Sequence, residues 1–403
     1  SNFRLRMPHA TSAADALQFQ SWLHARQYPA DCRQSVGIYT RQDYFFALGL
    51  GAQLVSLKYG LLHALLNDRV YHFPTSHYVN QVRCPSRSFD CYFERPSNCS
   101  RPKGPKGRMA ARPVSEHGRA MDVKIHWCFD LPRRKLTRLA GLRAVYPGAW
   151  YHAQLSAFLF RPNAELRAFG RQVLADMEYA RGENRSRTRA SRNGSGCVAM
   201  HVRRTDKHTE DHRTRDRGFK EFGQTFKSWA YWEHDGPQAQ LKVLLGSEDK
   251  NTFTAMPPLL LPSAAYWIPA RHFVMDMTPG KTFKDIKQGN SRLGQLYGGI
   301  EDQLGPPHAR PPRAELQRRG LLKDEGQVLI LQILLMSECR AFIGSYSSNV
   351  AILVHDLMQA RRIALREPLH SLDVNGRVYC GCGASFCMQL ERKAIRQPEW
   401  TVK

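Results

Sequence analysis

The chain of 403 residues carries 59 Lys and Arg against 35 Asp and Glu, a formal net charge of +24. Its hydrophobic content of 42%, with seven Trp, 15 Tyr and 19 Phe, supports packed cores and excludes a disordered polycation; the length suits about two domains of roughly 100–200 residues. The charge favours an anionic partner, whether nucleic acid, anionic glycan, membrane surface or a diphosphate-bearing substrate, and does not by itself choose among them.

In chain order, the first legible unit is "YFFALGLGAQLVSLKYGLLHALLNDRVYHFP" (44–74). It predicts a short apolar strand, a Gly49-x-Gly51 turn, a helix with apolar 3–4 spacing and a second strand, "RVYHF" (69–73). That is one strand–loop–helix–strand unit of an α/β layer. Paired glycines at such a turn let a ligand approach the backbone, or let the helix pack closely. Three polar stretches rich in Pro, Gly, Ser and Arg occupy 97–119, 180–196 and 304–320. They read as exposed loops, either solvated connections or a basic rim for an anionic acceptor. The second of them places the domain boundary, giving 1–190 and 191–403.

From 197 the pattern sharpens. Strand "CVAMHVR" (197–203) precedes a helix over 222–234, a strand over 241–248 and a strand over 271–276. A buried helix follows over 325–339 and a strand over 340–346. A helix with a Ser N-cap spans 347–360, and "RRIAL" (361–365) reads as a last strand. Strands alternating with helices imply a doubly wound parallel sheet, so the fold class is α/β with a Rossmann-type C-terminal half.

Ten cysteines and three N-x-S/T sequons, at Asn98, Asn184 and Asn193, favour an oxidising secretory compartment. "CGCGASFC" (380–387) lacks a clear fourth ligand, which favours disulfides over zinc. No apolar run reaches the ~18–20 residues of a membrane span. Ser1-Asn2 reads as the start of a trimmed sequence from which an N-terminal membrane anchor is absent.

Ligands of doubly wound sheets bind beyond the carboxyl ends of the strands. His201, Arg203 and Arg204 stand at one such end, Ser247, Glu248 and Asp249 at a second, and Tyr346, Ser347 and Ser348 at a third where a helix begins. A helix amino end offers free N–H groups and partial positive charge, and Arg offers a planar fork for phosphate oxygens. An anionic group, best a diphosphate, fits between Arg203 or Arg204 and the helix start at 347–349. Neither a D-x-D motif near a strand end nor G-x-x-x-x-G-K-[ST] is present. Fixed arginines then replace a metal in neutralising a leaving diphosphate, and nearby carboxylates become candidate general bases.

"HVRRTDK" (201–207) resembles the signature of the alpha-1,6-fucosyltransferases, including the rhizobial nodulation enzymes. "LLGSEDKNTF" (244–253), "FIGSYSSNVAILVHDLM" (342–358), "REPLHSLDVNGRVYCGCG" (366–383) and "GLGAQ" (49–53) resemble further segments of that family in order. The resemblance implies a GT-B-like enzyme of two α/β domains: an acceptor-side domain at 1–190 and a nucleotide-sugar domain at 191–403. Such an enzyme transfers L-fucose from GDP-fucose to a GlcNAc hydroxyl with inversion, without metal or other cofactor, in the Golgi lumen.

Carried over by position, Arg203 holds the β-phosphate with the Ser347–Ser348 turn, and His201 sits at the guanine. Arg204, Asp206, Gln332, Tyr346 and Asn349 complete the donor site, and Glu248 and Asp249 hold sugars. Lys207 and the acid after it stand near the reacting centre. In the family that acid lies four residues after the Lys. Here Glu210 lies three after Lys207 and Asp211 four after, and the "TE" pair at 209–210 favours Glu210. Gln332 stands where the family has an Asp that accepts from guanine N–H groups; a Gln amide accepts one such bond and presents its own N–H to the other. The partners implied are a nucleotide sugar and a glycan or glycoprotein, not nucleic acid. The alternative is a non-catalytic binder of anionic polysaccharide on a transferase-like fold.

Overall fold

The computed structural model describes residues 9–32, 49–66, 68–76, 78–80, 83–100, 132–180, 197–203, 218–233, 240–247, 249, 251–272, 312–318, 323–376 and 379. The expected strand N-terminal to Gly49, and the domain boundary at 190–191, lie outside them.

The architecture is α/β. Strand β1 (Cys197–His201) pairs in parallel with β2 (Lys242–Gly246) on one side and β4 (Ala341–Gly344) on the other, and β2 pairs in parallel with β3 (Ala264–Tyr266). With β5 (His370–Asp373) the sheet order is β3-β2-β1-β4-β5. Val198, Ala199 and Met200 are all fully buried, so β1 is an unbroken apolar run, as a strand covered on both faces requires.

The chain divides into two compact units: 1–74, 93–161 and 346–403 form one, and 75–92 and 162–345 the other. The first unit contains helices α1 (His9–Gln27), α2 (Leu50–Leu66), α3 (Arg133–Ala140), α4 (Gly148–Leu159) and α10 (Asn349–Leu365). Within it α10 packs on α4, α2 and α1. Phe19, Trp150 and Tyr151 interlock in its core, and Trp150 stacks on Tyr146 at 4.3 Å. The second unit contains α5 (Ala164–Ala180), α6 (Phe219–Glu233), α7 (Thr252–Leu260), α8 (Arg313–Arg318) and α9 (Glu325–Glu338). Helix α9 lies on β1 and β2, and α6 on β4.

Three disulfides link described residues: Cys32–Cys99, Cys84–Cys91 and Cys197–Cys339. No described helix is long and apolar enough to cross a membrane.

Three expected elements are corrected. Residues 69–73 form no extended strand: Tyr71 alone makes a β-bridge, and a side chain holds the segment beside it. Gln27 Oε1 accepts from Tyr71 N–H at 2.7 Å and Gln27 Nε2 donates to Arg69 O at 3.2 Å. The start of the expected strand 271–276 is instead a 3-10 turn at Ala270–His272, closed by His272 N–H on Pro269 O at 3.0 Å. The third strand is β3, which lies N-terminal to that expectation, and 273–276 lie outside the described residues. "RRIAL" is the end of α10 and not a strand. Nothing in it interrupts the helix, which stops at Arg366 in the left-handed region (φ 57°), with the cap N–H on Arg362 O and Ile363 O.

Candidate functional site

The order 3-2-1-4-5 reverses its direction of growth between β1 and β4, and doubly wound sheets bind ligands beyond the carboxyl ends at that point. His201 ends β1, buried and paired with Gly246. The pairing continues one residue further through Val202 N–H on Gly246 O at 2.9 Å, and Arg203 follows, half-buried. Burial, and then the Arg203 charge, push the His201 imidazole down to about 3. At neutral pH the buried ring is therefore uncharged, beside the guanidinium of Arg203.

The exit of β2 is tied to the exit of β1. Ser247 donates to Val202 O and accepts from Asp249 N–H at 3.0 Å and Thr252 Oγ1–H at 2.9 Å, which fills its hydroxyl. Asp249, expected at the acceptor, uses Oδ1 to accept from Asn251 N–H at 2.9 Å and its carbonyl to accept from Thr252 N–H at 3.0 Å. It thereby shapes the entry to α7.

Gln332 lies on α9 with 3% exposure, against the last residue of β2. A Cβ on Gly246 would stand 3.0 Å from Gln332 Cδ and 2.9 Å from Met336 Sδ, so only glycine lets the amide close on the strand. The Nε2 of Gln332 is enclosed and has no hydrogen-bond partner.

The helix carrying Gln332 is fastened at both ends. Asp324 caps its amino end, accepting from Gln327 N–H at 3.1 Å, Tyr92 OH at 2.9 Å and Arg83 at 3.1 Å. Burial raises the Asp324 carboxyl and outweighs the Arg83 charge. Its carboxyl end leads to Cys339, which is bonded to Cys197 at the start of β1. Asp324, Arg83 and Tyr92 did not figure in the sequence expectation. "DEGQ" (324–327) carries the signal, since an acceptor followed three residues later by Gln is a capping-box pattern.

The first unit holds Tyr346, Ser347, Ser348 and Asn349. Tyr346 N–H donates to Asp373 Oδ1 at 2.7 Å, and its hydroxyl lies 2.7 Å from Ser371 Oγ and 3.2 Å from His355 Nδ1. Tyr346 is thus a structural pin whose hydroxyl burial raises well above the ordinary range. Ser348 occupies the N-cap of α10 with extended φ −98° and ψ 127°, yet its side chain makes no cap bond. Its hydroxyl is fully buried and has no partner.

Gly51 meets this helix start. A Cβ there would stand 3.2 Å from Val350 Cγ2 and 3.5 Å from Asn349 Cβ, so the amino ends of α2 and α10 abut. Two such ends with an unpartnered hydroxyl form an environment for negative charge.

Behind this turn lies an enclosed ion pair. Asp356 on α10 accepts from Lys58 of α2, from Ser156 Oγ of α4 at 3.0 Å and from Tyr379 OH at 2.7 Å.

Arg204, Asp206, Lys207, Glu210, Asp211 and Glu248 lie outside the described residues. Among the described residues, no group of three or more His, Cys, Asp or Glu is arranged to hold a metal ion. No family model matches the chain, and no curated protein matches it.

Proposed function

We propose that the chain is an inverting, metal-independent glycosyltransferase of the GT-B type, with two α/β domains, that transfers L-fucose from GDP-fucose to a GlcNAc hydroxyl of a glycan. The observation that carries this reading is the placement of His201 and Arg203 at the carboxyl end of β1, where the strand order reverses. Two further features support it: the uncommitted Ser348 hydroxyl at the start of α10, and the seven-residue "HVRRTDK" run.

In this reading His201 takes the nucleoside side and Arg203 the β-phosphate. The acceptor hydroxyl attacks the sugar's anomeric carbon from the face opposite the diphosphate. Glu210 or Asp211 takes its proton, and the guanidinium neutralises charge on the departing diphosphate as the carbon–oxygen bond breaks. Disulfides fit a secreted or lumenal protein, the sequons favour the same secretory route, and the Golgi lumen is the compartment that the family resemblance implies.

The test is turnover of GDP-fucose with GlcNAc-terminated glycans in EDTA, scored by released GDP and fucosylated product. The expected result is transfer without metal, abolished in Arg203→Ala with the fold retained. Strict dependence on added Mn²⁺ would contradict the arginine mechanism. Absence of turnover together with salt-sensitive heparin binding would favour the second reading, a polysaccharide binder, which the +24 charge motivates.

A further inference from the structure

Asn98, Cys99 and Ser100 form an N-x-S sequon whose middle residue is one half of a disulfide, Cys32–Cys99. Within the first unit, residues 95–99 are fastened to residues 28–32, just past α1. Tyr28 OH donates to Arg95 O, Asn98 Nδ2 donates to Pro29 O at 3.4 Å, and the disulfide closes the same stretch with its Cα atoms 5.5 Å apart. The Cys99 N–H is also taken, by Ser97 Oγ at 3.0 Å. Asn98 and Ser100 are nonetheless exposed, while Cys99 is half-buried. The two residues that an N-glycosylating enzyme must grasp face outward, and the one between them is locked.

We propose that Asn98 carries an N-linked glycan, and that its attachment competes with closure of the Cys32–Cys99 disulfide. In the first reaction Asn98 Nδ2 bonds to the anomeric carbon of a lipid-linked oligosaccharyl diphosphate as that carbon's bond to the diphosphate oxygen breaks. The lipid diphosphate leaves and the amide gives up one proton. One Nδ2–H remains for Pro29 O, and the residue is exposed, so the folded loop accommodates the product. In the second reaction Cys32 and Cys99 pass two electrons and two protons to a protein disulfide of the lumen, which becomes a dithiol. Once that bond exists, the tripeptide is held at its centre and cannot be drawn into an enzyme cleft. Glycan transfer therefore belongs to the interval in which Cys99 is still a thiol. The sequence separation of 67 puts Cys32 in the lumen first; at about 5–20 residues per second it leads Cys99 by roughly 3–13 s. The partner thiol is waiting when the sequon arrives, and the two reactions race. The exclusion runs one way: a glycan on exposed Asn98 leaves the Cys99 thiol able to pair, whereas the disulfide shuts out the glycan.

The experiment expresses the whole chain behind a cleavable secretion signal in a eukaryotic host. Occupancy of each sequon is read by peptide mass spectrometry after N-glycosidase treatment in heavy-oxygen water, which converts a glycosylated Asn to a labelled Asp. The proteins are wild type, Cys32→Ser, Asn98→Gln and the double variant Cys84→Ser/Cys91→Ser. Wild type is expected to show partial occupancy at Asn98. Cys32→Ser should raise the ratio of occupied to unoccupied Asn98 by about 2-fold or more, because oxidation, a process of seconds to hours, no longer competes. Asn184 and Asn193, which have no cysteine in their sequons, should keep their wild-type occupancy. The double variant breaks a disulfide of the other unit and should leave Asn98 at the wild-type ratio, which separates the local bond from misfolding in general. Asn98→Gln should retain the Cys32–Cys99 bond.

Unmodified Asn98 in both wild type and Cys32→Ser would overturn the site. Complete occupancy in wild type, equal ratios in wild type and Cys32→Ser, or an equal rise in Cys84→Ser/Cys91→Ser would overturn the competition. Loss of the Cys32–Cys99 bond in Asn98→Gln would overturn the one-way order.

Discussion

Lys58 and Asp356 form an ion pair whose side chains are both 0% exposed, joining α2 to α10 inside the first unit. Burial pushes the Asp356 carboxyl up, and the nearby Lys58 ammonium pulls it further down, leaving it below the ordinary carboxylate range. Lys58→Met keeps most of the length of the side chain and removes the charge. The carboxylate is then left with two neutral donors, Ser156 and Tyr379, and no counter-ion. Breaking a buried pair from one side costs about 3–5 kcal/mol, and the same is expected of Asp356→Leu. The double variant replaces both charges by apolar groups and should recover to within about 1–3 kcal/mol of wild type, the remainder reflecting two hydroxyls without an acceptor. Urea unfolding of the four proteins, followed by tryptophan fluorescence, closes the cycle. A coupling of about 2 kcal/mol or more is predicted. A single-variant cost below about 1 kcal/mol, or simple additivity, would refute the reasoning.

Further predictions concern pH and the disulfide framework. Burial holds His152, His201 and His355 down to about 3, about 3 and about 4, against an ordinary 6.5. They stay neutral in the folded protein while the unfolded chain takes up protons below the ordinary value. Stability is therefore fully present above about pH 6.5 and falls as pH drops toward 4, with a limiting slope of about 1.4 kcal/mol per pH unit for each histidine. Asp324, raised by burial, opposes this near the bottom of the window. Urea midpoints measured from about pH 7.5 to about 4.5 check it: His152→Gln should flatten the curve, and a pH-independent midpoint in wild type would count against buried neutral histidines. Cys197–Cys339 closes a loop of sequence separation 142, so replacing both cysteines by serine should lower stability by about 2–5 kcal/mol. An unchanged urea midpoint would show that the bond contributes nothing.

The sheet was legible where apolar runs end in polar punctuation. β1, β2 and β4 are buried strands of that kind, and the start of α10 was marked by Ser348. Helix α7 was not legible, because Pro257–Pro258 inside it reads as a breaker. Strand β3, at three residues, is too short to carry a period. The strand expected at 361–365 failed because a short Arg-Arg-Ile-Ala-Leu run fits a helix end as well as a strand, and only the left-handed stop at Arg366 separates the two.

At the site, the sequence pointed to His201, Arg203 and the serine turn through their place after apolar strands. It could not show that Gly246 admits the Gln332 amide, that Ser348 leaves its helix uncapped or that Ser247 is fully engaged. Each of these depends on atoms from distant segments meeting at about 3 Å, the range in which packing and hydrogen bonding are decided.

The central claim is that the guanidinium at the end of β1 holds the diphosphate of a nucleotide. Calorimetric titration of GDP into wild type and Arg203→Ala, with melting temperatures recorded on both, tests it most directly. The account predicts measurable binding by wild type and a loss of about 10- to 100-fold in the variant, the worth of a charge-assisted contact, with a cooperative melting transition retained in the free variant. Equal GDP affinity in the two proteins would contradict it.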